Sequence, residues 1–66
     1  MKLEYDPEVD AAYLTLTESP VADSEEVKPG IVLDYDANHR VVGIEILNLR
    51  RQLPDADLKR LQLEVA

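Results

Sequence analysis

The stretch DYDANHRVVGIE, residues 34–45, contains part of the residue pattern of a calcium-binding loop. Side-chain ligands of an EF-hand loop come from its first, third, fifth and twelfth positions, which here are Asp34, Asp36, Asn38 and Glu45. The sixth position, where the sharp turn requires glycine, is His39, and the flanking runs IVL and GIEIL alternate as strands do. The same stretch fits a β-hairpin with a loop of about three to five residues. The flanking pattern favours the hairpin.

Acidic side chains near the start of the chain offer a second set of oxygen ligands. Asp6, Glu8 and Asp10 fall within five residues, a spacing that suits a hard cation. A turn is the favoured explanation, because Asp6 before Pro7 accepts a backbone hydrogen bond and Glu8 is solvated. No metal or cofactor is therefore expected. The only weak candidates for metal ligands are Asp6, Asp10, Asp34 and Asp36.

Candidate catalytic side chains are few. His39 is the only histidine and the natural acid or base near neutral pH, but no nucleophile adjoins it in the sequence. Ser19 and Ser24 lie in a segment that lacks the glycines of a nucleophile elbow. With two glycines in the chain, no phosphate-binding loop is expected. We predict no catalytic residue and no enzymatic activity.

Length and composition predict one small domain that associates with itself. The chain has 66 residues, no cysteine, phenylalanine or tryptophan, and three tyrosines. So short a chain leaves much of its surface exposed and has neither a disulfide nor a thiolate zinc site to compensate. The tyrosines are expected to supply the bulk of a small core or of a dimer interface. A homodimer is therefore the expected state.

Charge restricts the expected partners. The formal net charge is −7, and the first 36 residues hold ten acidic residues and only two lysines. An acidic surface repels phosphate backbones and anionic lipids, so neither a nucleic acid nor a membrane is an expected partner, whereas a small basic protein is. The chain shows no apolar run of signal-peptide or membrane-helix length, which predicts a cytoplasmic location. Basic residues gather near the end, where they are expected to face solvent or to pair with the acidic half of the same or a second chain: Arg50, Arg51, Lys59 and Arg60.

The elements that position these residues are mainly strands. Period-two alternation predicts four strands, with EEVK as a short edge segment that ends at a Pro29-Gly30 turn. Short links between strands favour an antiparallel meander. The four predicted strands are KLEY, AAYLTLTE, IVLDY and RVVGIEIL.

The last residues of the chain differ in character from the rest. NLRRQLP predicts one helical turn with Asn48 as its N-cap, and DADLKRL predicts another that begins after Asp55. Residues 61–65 fit a helix or a strand. The predicted fold is α+β: a small antiparallel sheet of about four strands with a short C-terminal helical segment. Residues 1–48 form the sheet core and residues 49–66 the tail of the same domain.

Two segments, EYDPEVDAAYLTL and EEVKPGIVLDYDANHRVVGIEIL, resemble a family of small, mostly bacterial proteins classified as domain of unknown function 2283. The resemblance covers residues 1 to about 48 and departs from the family pattern at His39, where the family usually has glycine. It implies no known activity, catalytic residue or cofactor. Some members are encoded beside small toxin-like proteins, which implies an antitoxin-like role. The sequence therefore predicts a non-enzymatic protein-interaction module, with a domain that binds a small ligand or a divalent cation as the alternative.

Overall fold

The computed structural model describes residues 1–66 and contains five β-strands and one short helix. The elements are β1 (Lys2–Asp6), β2 (Ala11–Thr15), β3 (Asp23–Lys28), β4 (Ile31–Tyr35), β5 (Val41–Ile46) and α1 (Leu49–Gln52). This confirms the predicted α+β class with an antiparallel sheet and a short C-terminal helix. The segment predicted as a short edge piece is a complete edge strand, β3.

The strand order departs from the predicted meander. The sheet has the order β1-β2-β5-β4-β3, so that β5 lies between β2 and β4. Residues 16–22 link β2 to β3 and pass the ends of β5 and β4, where the Leu16 amide donates to the Val42 carbonyl (2.9 Å) and the Ala22 amide to the Tyr35 carbonyl (2.8 Å). Three strand spacings amount to about 14 Å. A seven-residue link reaches that far, at about 3.3 Å per residue, so a short link does not require its two strands to be neighbours.

The two faces of the sheet differ in polarity, as the alternation predicts. The register places Leu3, Leu14, Ile44 and Leu33 in one cross-strand row and Ala12, Ile46 and Ile31 in another. We call these seven residues the apolar face. The opposite side, the polar face, consists of Lys2, Glu4, Asp6, Ala11, Tyr13, Thr15, Ser24, Glu26, Val32, Asp34, Gly43 and Glu45.

The buried apolar core is small. Its buried hydrophobic residues are Ala12, Val42 and Leu49. Leu49 lies in α1 and, with Leu58 and Leu61 of the tail, lines a groove beside Leu3 and Ala12. The tail therefore meets the apolar face at β1 and β2. No helix in the structure is long and apolar enough to cross a membrane.

The start of α1 is capped differently from the prediction. Asn48 occupies the N-cap position, but its backbone is left-handed (φ 52°) and its side chain makes no capping hydrogen bond. A capping residue normally has an extended backbone. The left-handed backbone of Asn48 explains why its side chain does not accept a hydrogen bond from the first amides of α1. Instead, the carbonyl of Asp10 accepts from the Leu49 amide (3.0 Å), and its carboxylate accepts from the Arg50 amide (3.1 Å).

Residues 53–66 contain no further helix or strand. The second predicted helical turn is replaced by isolated turns, closed by the hydrogen bonds from the Ala56 amide to Leu53 (3.1 Å) and from the Arg60 amide to Asp57 (3.3 Å). A helix nucleus fixes several residues for a single hydrogen bond. In this segment only Leu58 is half-buried and the other residues of 55–61 are exposed, so little apolar burial offsets that entropy. Residues 61–65 form neither of the two predicted structures.

Candidate functional site on the polar face

The polar face is organised around one buried carboxylate. Asp34, on β4, is 7% exposed. Its Oδ2 accepts a hydrogen bond from the Tyr13 hydroxyl (2.6 Å), and its Oδ1 accepts one from the Ser24 hydroxyl (2.5 Å). We call these three residues the Tyr13–Asp34–Ser24 cluster. It joins β2, β4 and β3. Its two hydrogen bonds offset the free-energy cost of burying the Asp34 carboxylate, and they also help to fix the register of the three strands.

Gly43 explains how Tyr13 reaches Asp34 across an intervening strand. Gly43 lies on β5 directly opposite Asp34, and the Tyr13 side chain passes over it. A Cβ atom at Gly43 would overlap the Tyr13 hydroxyl and would come within 2.8 Å of the ring carbon Cζ. The glycine is therefore required for space beneath the tyrosine, not for an unusual backbone angle.

The cluster keeps Tyr13 protonated. The hydrogen bond to Asp34, followed by desolvation and by the negative charges of Asp34 and Glu45, raises the pKa of Tyr13 to about 12. The phenol therefore remains protonated, and donates to Asp34, at alkaline pH where an unperturbed tyrosine with a pKa of 10.0 already ionises. Ser24 donates directly to Asp34, with no histidine between them. The two hydroxyls of the cluster thus hold the Asp34 carboxylate in place.

Carboxylates surround the cluster. One cross-strand row runs from Glu4 through Tyr13, Glu45 and Val32 to Glu26. Lys2 is the only basic residue of the polar face, and it pairs with Glu4 at 3.5 Å. Glu26 and Glu45 have no cationic partner. The polar face is therefore acidic, with a half-buried tyrosine near its centre.

The stretch DYDANHRVVGIE forms the predicted hairpin between β4 and β5. Asp36 holds the loop: its Oδ1 accepts from the amides of Asn38 and Arg40 (2.9 Å each), and its Oδ2 from the Arg40 guanidinium (2.9 Å). The hydrogen bond from the Arg40 amide is the main reason that the pKa of Asp36 is lowered. His39 has a left-handed backbone (φ 62°), and its ring stacks on Tyr35 with centroids 4.5 Å apart. The carboxylate of Asp36 thus stabilises the turn.

The four aspartates named as weak metal-ligand candidates lie apart. Asp6 accepts from the Glu8 amide (2.9 Å), as expected of the Asp-Pro turn, and Asp10 accepts from the Tyr5 hydroxyl (2.9 Å). Both belong to the β1–β2 turn, whereas Asp36 is at the opposite end of the sheet and Asp34 is within the cluster. No group of three or more potential metal-ligating side chains converges in the structure.

The cluster was not predicted from the sequence. Ser24 appeared as a loop residue and Tyr13 as a contributor to the core or a dimer interface, whereas all three tyrosine hydroxyls donate to carboxylates: Tyr5 to Asp10, Tyr13 to Asp34 and Tyr35 to Glu25. One signal was available. An acid within the apolar strand IVLDY must find hydrogen-bond donors if it is buried, and Asp34 was considered only as a metal ligand.

Comparison with known proteins identifies the family. The family model described as "Protein of unknown function (DUF2283)" matches residues 2–50. The chain belongs to the DUF2283 family. The matched segment includes all five strands, and so both faces of the sheet lie within the DUF2283 region. No curated protein and no solved structure matches the chain. Because the family description assigns no activity, we infer the function from the surface of the domain.

Proposed function

We propose that this DUF2283 protein is a non-enzymatic protein-interaction module whose polar face binds a basic partner protein. The observation that supports the proposal is the charge of that face. Glu4, Glu26 and Glu45 lie in one row across the sheet, and Lys2 is the only cation among them. Unpaired carboxylates, here Glu26 and Glu45, attract arginine and lysine side chains of a partner.

The Tyr13–Asp34–Ser24 cluster makes this surface rigid before binding. A surface that is already ordered loses less conformational entropy when a partner docks. Tyr13 lies between Glu4 and Glu45 in the row, where an aromatic ring with acidic neighbours can contact the stem and the charge of one arginine. The cluster therefore supplies a central anchor and the carboxylates supply the surrounding charge.

An antitoxin-like role is the most specific form of this proposal. A small basic protein would be attracted to a chain of net charge −7, and long-range attraction of this kind accelerates association at low ionic strength. Covering the basic surface of such a protein would block whatever anionic substrate that surface binds. The proposal therefore predicts a partner rich in arginine and lysine and an association rate that falls as salt is added.

The test compares two sets of charge-neutral variants as bait. One set is Glu4→Gln, Glu26→Gln and Glu45→Gln on the polar face. The matched control set removes three charges from exposed positions elsewhere: Glu8→Gln, Glu18→Gln and Asp55→Asn. Each tagged bait is incubated with cytosol of the source organism at low salt, and stoichiometric proteins are identified by mass spectrometry.

The proposal predicts one basic protein captured by the wild type and by the control set but lost from the polar-face set. Equal capture by both variant sets would place the binding surface elsewhere. Capture of no basic protein by the wild type at low salt would refute the proposed function.

A further inference from the structure

The apolar face is incompletely covered by the chain's own residues. Of its seven side chains, only Ala12 is buried, whereas Leu3 is exposed and the others are half-buried. The tail lies against the β1–β2 part, where Leu61 and Leu63 line a groove with Leu3 and Leu14. Extensive contacts between elements join only neighbouring strands, so no helix or strand forms a second layer over β5 and β4. A sheet with one hydrophobic face requires such a layer.

The tail also leaves large apolar side chains outside. Leu61 is 71% exposed and Leu63 is 79% exposed. On the β1–β2 half of the apolar face, the tail therefore adds a layer whose leucine side chains remain exposed to solvent. The other half, with Ile31, Leu33 and Ile44, is half-buried and lines no groove with the tail; we call it the bare half. The two halves belong to the same surface and cannot meet within one chain.

The two edges of the apolar face are opposite in charge. On the β1–β2 side, Lys59 and Arg60 line the groove with Leu3, together with one carboxylate, Asp57, so the basic charges predominate there. On the other side, Asp23 and Glu25 of β3 are in register with Tyr35 and Leu33, which places both carboxylates on the apolar side of the sheet. Lys28 is in register with Ile31 at the far end of the same strand, so this side of β3 carries two carboxylates and one ammonium group. No ion pair joins the two edges within the chain.

We propose that the apolar face is the interface of a homodimer, in which two copies pack face to face about a two-fold axis parallel to the strands. This rotation exchanges the two edges of the sheet. The tail of each copy then covers the bare half of its partner, with Leu61 and Leu63 over the β4 side and with Lys59 and Arg60 over the acidic edge of β3. Such an interface uses the same patch on both copies, as two-fold symmetry requires.

The charge pattern selects this axis over the alternative. A two-fold axis perpendicular to the strands would stack tail on tail and β3 on β3. Lys59 and Arg60 would then face the same two residues of the partner, as would Asp23 and Glu25, and the like charges would repel. Packing about the parallel axis also keeps the strands of the two sheets nearly aligned, a common arrangement of stacked sheets. Both polar faces remain on the outside of the dimer, so the inference does not depend on the proposed function.

The available area suits a second copy of this chain. Five strands of about five residues form a face of about 24 by 17 Å, or roughly 400 Å². Two such faces amount to about 800 Å², below the minimum of roughly 1,000 Å² for a specific interface, so the dimer requires the additional area of the tails. The exposed leucines of the two tails enlarge the interface beyond that of the flat sheets.

The test is charge reversal measured by sedimentation equilibrium of the full chain. Wild type is expected to sediment as a dimer of the 7.4 kDa chain. Reversing the basic edge (Lys59→Glu with Arg60→Glu) is expected to weaken the dimer by about tenfold or more, since symmetry places each repulsion twice in the interface. Reversing the acidic edge (Asp23→Lys with Glu25→Lys) is expected to weaken it similarly. Combining both reversals is expected to restore it.

A matched control separates pairing from net charge. The reversed basic edge is combined with Glu8→Lys and Glu18→Lys, which return the net charge to −7 and lie in the links between strands, outside both β3 and the tail. This combination is expected to remain as weak as the reversed basic edge alone. A monomeric wild type, a combined double reversal that stays weak, or equal restoration by the control would overturn the proposed dimer. Circular dichroism verifies that each variant is folded.

Discussion

Gly43→Ala is expected to destabilise the protein by displacing Tyr13 from Asp34. The new methyl group would overlap the Tyr13 hydroxyl and approach ring carbon Cζ to 2.8 Å. Tyr13 would have to rotate away, leaving a buried carboxylate with one donor fewer. A hydrogen bond to a charged group contributes about 1.5–3 kcal/mol, and the free energy of unfolding of a domain this size is about 3–10 kcal/mol. The substitution is therefore expected to remove a large fraction of the stability.

Repeating Gly43→Ala in a Tyr13→Ala background tests whether the overlap with the tyrosine ring causes the loss of stability. Without the ring there is no overlap, and alanine in a strand is about 0.5–1 kcal/mol more favourable than glycine. Gly43→Ala is therefore expected to be neutral or stabilising in that background. Urea unfolding followed by far-ultraviolet circular dichroism, at one fixed protein concentration, gives the four free energies of the cycle. An equal loss of stability in both backgrounds would refute the assignment of Gly43 as the space beneath Tyr13.

Three further predictions follow from individual hydrogen bonds and backbone angles. The pKa of Tyr13 is raised from 10.0 to about 12, so its stabilising contribution is complete below pH 10 and is lost as pH rises toward 12. In Tyr13→Phe the urea midpoint is therefore expected to decline less over this range. An absorbance titration of the same variant is expected to lack the tyrosine that ionises at the highest pH. The pKa of Asp36 is lowered below 3.8, so Asp36→Asn is expected to lower the urea midpoint at neutral pH, by an amount that shrinks as acid protonates Asp36; a pH-independent difference would contradict this. Gly30→Ala is expected to cost about 1–2 kcal/mol because Gly30 has a left-handed backbone (φ 83°), and an unchanged urea midpoint would show that the β3–β4 turn tolerates the side chain.

The strands and their faces could be predicted because their patterns are local. Alternation in AAYLT and VVGIEI determines which side chains share a face, whichever strands become neighbours. β3 was harder to recognise because DSEEVK is exposed along its whole length and lacks an apolar side. The hairpin loop was likewise predictable, since Asp36 bonds to residues within four positions of itself.

The Tyr13–Asp34–Ser24 cluster depends on information that no local pattern contains. Tyr13 and Asp34 come together only because β5 inserts between β2 and β4 and presents Gly43 at the crossing. The seven-residue link after β2 is compatible with a neighbouring strand or with a strand three positions away, because both lie within its reach. Strand order, and with it the cluster, is decided by long-range packing of the sheet. The homodimer remains a prediction, now with a specific axis.

Amide chemical-shift mapping shows which face of the folded protein binds the basic partner. Isotopically labelled protein is titrated at low salt with the basic protein recovered by the wild-type bait. If the polar face is the binding surface, the largest changes are expected in the row Glu4, Tyr13, Glu45 and Glu26, and added salt is expected to reverse them. Changes confined to the hairpin tip or the tail, with the polar face unaffected, would contradict the proposed binding surface.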